Sequence, residues 1–154
     1  MTPAIEQLKA LKISHILHEY EHEAKAQSYG LEAAEKLGVE AARVFKTLVV
    51  KASNESLAVA IVPVEKQLNL KAMAKAVGAK KVAMAQPNAV SRSSGYVLGG
   101  VSPLGQKRLL TSVIDESAEA FNTIFVSGGK RGLEIELSSK DLAQAIKALV
   151  TSLT

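Results

Sequence analysis

The sequence predicts a single α+β domain over residues 1–154, a mixed, mostly antiparallel β-sheet packed with short α-helices. Three observations carry this. Strand-like and helix-like segments alternate along the chain, with no linker or repeat between them. Some consecutive strands are joined by a tight turn and others by a helix, so hairpins and crossovers are mixed. No phosphate-binding glycine signature follows the first strand, as a doubly wound α/β fold would need. A length of 154 residues, 47% apolar and 22% charged, is enough for one buried core.

The elements follow in order. Thr2-Pro3 reads as an N-cap with proline at the first helical position, and Ile5, Leu8 and Leu11 form the stripe of the first helix. "SHILHEY" alternates and predicts a strand from about Ser14 to Tyr20. "YGLEAAEKLGV" is a short helix stopped by Gly38. "VFKTLVVKA", "SNES" and "LAVAIVPV" make a β-hairpin with a four-residue turn. "LNLKAMAKAVGA" is a helix and "KKVAMA" a short strand; "QPNAVSRSSG" is a short helix or a turn-rich link. After a glycine-rich stretch come a strand "RLLTSVID", a short helix "ESAEAF", a strand "NTIFVSG", a tight turn "GKRG" and a strand "LEIEL". The last helix starts at Ser138, with Asp141 in a capping-box-like position and Leu142, Ala145, Ile146 and Leu149 on one face. Six or seven strands in one sheet result.

Composition narrows the chemistry. With no cysteine, thiolate catalysis, disulfides and Cys-zinc sites are excluded. The first residues carry charges within their apolar pattern and lack a signal-peptide core, and no apolar run nears the roughly 18 residues of a membrane span. A cytoplasmic protein without a membrane partner is expected. The net charge of +4 suits an anionic partner, RNA rather than DNA. The cations come in pairs, Lys80–Lys81, Lys107–Arg108 and Lys130–Arg131, and aromatics are only 4%, so no multi-ring stacking platform is expected.

His18-Glu19-Tyr20-Glu21-His22 matches the H-E-x-x-H pattern of zinc peptidases, which works only on a helix. In a strand, positions four apart are roughly 13 Å from each other. Two imidazoles cannot share one ion across that span, so no metal and no cofactor is expected. Lys46 projects from a strand starting at about Val44, either on a solvent face or as a cation facing a cleft, where it can hold a phosphate or a carbonyl oxygen. "GYVLGGVSPLGQKR", from Gly95 to Arg108, contains four glycines. Such a stretch is a plain connection, or a loop in which Gly99 and Gly100 allow close backbone approach to a ligand and N–H donation to it. "SGGKRG", from Ser127 to Gly132, raises the same two readings.

Taken together, "HEYEH", "YGLEAAEKLGVEAARVFKTLVV", "GYVLGGVSPLG" and "SGGKRGLEIEL" resemble the YbaK/EbsC family over nearly the whole chain. Members are bacterial aminoacyl-tRNA deacylases related to the editing domain inserted in some prolyl-tRNA synthetases. The resemblance implies hydrolytic clearance of Cys-tRNA(Pro). It places the family's essential lysine on Lys46, its pocket tyrosine on Tyr20, its G-x-x-x-P loop on Gly99 through Pro103 with Gly100 beside it, and a pocket serine on Ser127. Many members carry an aspartate shortly after the later turn; the nearest acid here is Glu134, which receives no chemical role. The resemblance also implies a partner, the 3′ end of an aminoacyl-tRNA, with prolyl-tRNA synthetase as a second candidate partner. The chain shows no Ser-His-Asp constellation, and the family's solution is attack by the substrate's own thiol. Two alternatives stand beside it: an Ala-tRNA(Pro) deacylase using water, and a non-catalytic RNA 3′-end or protein-binding module on the same fold.

Overall fold

The computed structural model describes residues 1–24 and 28–154. Its helices are α1 (Pro3–Ala10), α2 (Tyr29–Leu37), α3 (Leu70–Val77), α4 (Pro87–Ser94) and α5 (Ser139–Ile146). Its strands are β1 (Ile16–Glu19), β2 (Phe45–Ala52), β3 (Leu57–Pro63), β4 (Val82–Met84), β5 (Thr111–Asp115), β6 (Ile124–Ser127), β7 (Leu133–Leu137) and β8 (Leu149–Thr151). Short 3₁₀ turns occupy Ala41–Arg43 and Glu116–Ala120. Among the described residues, no helix is long and apolar enough to cross a membrane.

Local chemistry sets the helix ends. The side chains of Thr2, Ser28, Asn69 and Ser138 each accept the amide N–H three residues on, occupying an otherwise orphaned donor. "QPNAVSRSSG" resolves as a helix, with Pro87 at its first position and Gly95 as its cap. Leu11 lies beyond α1 and is half exposed, so the buried stripe is Ala4, Ile5 and Leu8.

The strands form two sheets, not one. A three-stranded antiparallel sheet has the order β1-β7-β6, and a five-stranded sheet the order β4-β2-β3-β5-β8. In the larger sheet β3-β5 and β5-β8 are parallel, while β2 pairs antiparallel with both β3 and β4. Pairing is thus mixed and mostly antiparallel, as expected, but over eight strands among the described residues. The sheets meet at a bridge between Val44 and Phe125. Leu149 corrects the reading of the last helix: Lys147 turns left-handed at φ 54°, and Leu149 opens β8. The apolar spacing that suggested one more helical turn instead supplies an edge strand against β5. Leu153, fully buried, anchors the segment beyond it by donating its N–H to Asp115 Oδ1 at 2.7 Å.

The hairpin β2–β3 is buried on both faces. Phe45, Val49, Val59 and Ile61 pack toward the small sheet, α1 and α5, while Val50, Ala60 and Val62 pack toward Met73 of α3. A third cluster joins Ala33 and Ala34 of α2 to Val44, Val64 and Phe125, at the junction of the sheets. Helix α1 ties down two later loops. Thr2 Oγ1 donates to the Gly128 carbonyl at 2.5 Å, and Gln7 Oε1 accepts the Gly105 N–H at 2.6 Å.

Candidate active site

Where the two sheets meet, a cavity of about 370 Å³ opens along the first half of β2. Tyr20, Lys46, Gly99 and Ser127 line it, from four separate stretches of sequence. Each is placed by a local rule. Lys46 is on the even-numbered face of β2, with Val44 and Leu48. Ser127 ends β6, directly opposite Glu134 on β7, so both side chains leave the same face of the small sheet. Tyr20 follows β1, and its N–H donates to the Gly132 carbonyl at 2.9 Å, which locks it to the turn after Ser127. Ser127 Oγ accepts the Gly129 N–H at 3.2 Å, holding that turn.

The glycine stretch now has a physical reason. Gly99 sits at φ +86°, and a Cβ there would lie 2.6 Å from both the Arg131 Nε and the Tyr29 ring. A Cβ on Gly100 would lie 2.9 Å from the Lys130 Cα. The loop therefore presses against the Lys130–Arg131 turn, backbone to backbone, which side chains would forbid. Gly100 itself does not line the cavity: it is buried behind Gly99, and its N–H donates to the Val97 carbonyl at 3.0 Å. Its N–H is thus engaged within the loop itself.

The electrostatics distinguish the site from an ordinary groove. Burial lowers the pKa of the Lys46 ammonium, and no carboxylate pairs with it among the described residues. Glu134 is buried, 7% exposed, and burial pushes its pKa up to about 8. A carboxyl in that state is neutral below that value and can donate a hydrogen bond, or accept a proton near it. Burial, then the nearby Glu134 carboxylate, raises the Tyr20 phenol. Arg131 stacks over Tyr29 at 4.2 Å and donates from Nη2 to the Leu98 carbonyl at 3.3 Å, making a rigid cationic rim. An uncompensated lysine, a second cation at the mouth and a largely apolar floor suit an anionic ligand that carries a small side chain.

The H-E-x-x-H residues do not converge on one point. His18 lies in β1, as the strand reading requires, and its Nε2 meets Glu136 Oε1 at 2.8 Å. The Nδ1 of His22 meets Glu32 Oε1 at 2.7 Å. Burial works against the charge on Glu32, but the Glu23 N–H and His22 outweigh it and lower its pKa. These histidines brace the segment around Tyr20 from both ends.

Three contributors escaped sequence reasoning: Tyr29, Arg131 and the buried state of Glu134. For Glu134 a signal was present, since two strands joined by the turn after Ser127 place the two residues in register. The Tyr29–Arg131 stack joins residues about a hundred positions apart, and no local pattern announces it.

A cleft lined by two lysines without an ion-pair partner among the described residues, Lys46 and Lys130, by one buried carboxyl and by a nested pair of glycine loops is suited to holding a small ligand on this two-sheet α+β domain. The chain belongs to the aminoacyl-tRNA editing domain family, which it matches over residues 24–145. It is 43% identical over 105 residues to a candidate Cys-tRNA(Pro)/Cys-tRNA(Cys) deacylase, EbsC, of Enterococcus faecalis, covering 68% of this chain and 64% of that relative, just under two thirds of its length. Among solved structures, a hypothetical protein superimposes with a TM-score of 0.88 at 26% identity, over 99% of each chain. A candidate trans-editing enzyme for prolyl tRNA synthetase shares the fold with a TM-score of 0.83 at 22% identity, over 100% of this chain and 98% of the other. The resemblance read from the sequence motifs is thereby met at the level of family and fold.

Proposed function

We propose that this protein is a trans-editing aminoacyl-tRNA deacylase that removes cysteine from mischarged Cys-tRNA(Pro). The observation that carries the proposal is the convergence of Tyr20, Lys46, Gly99 and Ser127, read from separate motifs, on one cavity lined also by Glu134. The name of the Enterococcus faecalis relative supplies the substrate class. The partner is the 3′ end of an aminoacyl-tRNA, encountered in the cytoplasm free or docked on prolyl-tRNA synthetase.

In the proposed reaction the substrate's thiol, as thiolate, attacks its own ester carbonyl. The carbon–sulfur bond forms, the bond to the ribose oxygen breaks, and that oxygen takes up a proton. A cyclic thiolactone leaves and water opens it to cysteine. The protein holds the aminoacyl-adenosine in attacking geometry, a contribution worth about 7–11 kcal/mol when reacting groups are well aligned. Lys46 is the catalytic residue, steadying the terminal phosphate or the developing oxyanion. Tyr20, Gly99 and Ser127 bind substrate, and Gly100 keeps Gly99 in place.

The buried Glu134 favours one second reading: water activated by the protein, which would also serve Ala-tRNA(Pro). Two assays decide. Incubation with Cys-, Ala- and Pro-tRNA(Pro) should release cysteine fastest, and release from none would leave only a binding module. Methylation of the substrate's thiol should abolish turnover. Undiminished cleavage of the methylated ester to the open amino acid would assign the attack to water and to Glu134.

A further inference from the structure

The ladder of β2 is open at Thr47. Its even-numbered residues bond to β3: Ala52 N–H donates to the Ser56 carbonyl at 2.8 Å, and Val64 N–H to the Val44 carbonyl at 2.8 Å. Its odd-numbered residues therefore aim their N–H and C=O groups at the opposite edge. There Ser53 N–H donates to Lys81 at 2.9 Å and Ala85 N–H to Val49 at 3.0 Å, after which Pro87 carries the chain away into α4. At the far end the bridge from Val44 to Phe125 closes the same edge. Thr47 lies between the two closures. Its backbone groups face the cavity, which it lines, and its Oγ1 is buried without a hydrogen-bond partner.

We propose that Thr47 is the residue that grips the amino-acid moiety of the ester, by completing the missing rung of the β2 ladder. An antiparallel rung needs one donor and one acceptor flanking a single Cα. An α-amino ester supplies that pair: its amine donates to the Thr47 carbonyl, and its ester carbonyl accepts from the Thr47 N–H. Opposed residues in such a rung place their side chains on the same face. An L side chain then enters the compartment on the odd-numbered face of β2, on the side of Thr47 Oγ1, in a cavity that Val90 and Val101 also line. The rest of the ester lies toward Lys46, on the other face. The Thr47 N–H thus points at the oxygen on which charge develops. This inference rests on the deacylase reading and adds to it the element that recognises the aminoacyl group itself.

Two measurements test it. The first follows the Thr47 amide by ¹⁵N NMR while 3′-(L-alanylamino)-3′-deoxyadenosine, which cannot be hydrolysed, is added. A downfield shift of that amide proton is expected with this probe and not with adenosine alone. An equal shift with adenosine would place the base at the edge, and no shift at saturation would leave the edge unused; either result overturns the proposal. The second exchanges residue 47 for its α-hydroxy acid counterpart, which swaps the N–H for an ester oxygen and leaves the side chain intact. Turnover of Cys-tRNA should fall about 100-fold, mostly in kcat, the usual cost of losing one oxyanion donor. Turnover within twofold of the parent in a variant with the parent's melting temperature overturns the assignment. The outcomes separate from the function itself: wild-type protein that deacylates nothing refutes the deacylase reading, whereas active protein with an unresponsive Thr47 refutes the rung alone.

Discussion

Lys46 and Glu134 are two titratable groups of the site whose surroundings oppose their charge, and each yields a prediction. Lys46 has burial against it and no paired carboxylate among the described residues, so a ligand anion is the natural counter-charge. Lys46→Ala should lower deacylation about 100-fold or more, while stability, followed by denaturant midpoint, changes by under about 1 kcal/mol. Wild-type turnover would return this lysine to a solvent-facing role. Glu134 binds its proton more tightly in the native state, at about 8, than an ordinary carboxyl at 4.5. Native stability is therefore highest below about pH 4.5 as far as this group is concerned. It declines as pH rises from there toward about 8 and then levels off. Glu134→Gln should remove that decline, so the variant gains on the parent at pH 8 and not at pH 4. Equal pH profiles for the two would show that Glu134 ionises normally.

At the scale of elements, the site depends on two loops that touch only because Gly99 and Gly100 lack side chains. In Gly100→Val the new atoms meet the Lys130 backbone, which cannot swing aside as a flexible side chain would. The loop must move off the turn that carries Arg131, and we expect a loss of about 1–3 kcal/mol in stability together with most of the activity. A variant as active and as stable as the parent would mean that the loops need not nest. Most elements were legible beforehand, because capping residues, proline at first helical turns and apolar periodicity are local signals. Leu149 shows the limit. Its spacing from Ile146 continues a helical stripe, yet pairing with β5 takes the segment as a strand, since a half-exposed sheet edge offers more than one further helical turn. Gly100 shows a second limit: the motif marked it, but only packing separates a wall residue from a ligand donor.

For the whole molecule, recognition should centre on the aminoacyl end. The cavity is small, the cations outside it are scattered in pairs, and rings are few. The isolated protein should therefore cleave Cys-tRNA(Cys) within about tenfold of Cys-tRNA(Pro), a gap that phosphate contacts alone leave open. A much stronger intrinsic preference for the tRNA(Pro) body would contradict this. Dialysis against a chelator should leave activity unchanged, because His18 and His22 are each engaged by a different carboxylate. Loss of activity restored by zinc would reverse that conclusion. The sequence by itself determined most of the secondary elements, the α+β class, the motif residues and the exclusion of cysteine chemistry, since each follows from side-chain identity and short-range spacing. Only the tertiary structure decided that the strands divide into two sheets, that Glu134 is buried beside Tyr20, that Arg131 stacks on Tyr29, and that Thr47 faces a break in the ladder. Those are facts about which distant surfaces exclude water from one another, and desolvation and unmet hydrogen bonds arise only when the chain is closed on itself.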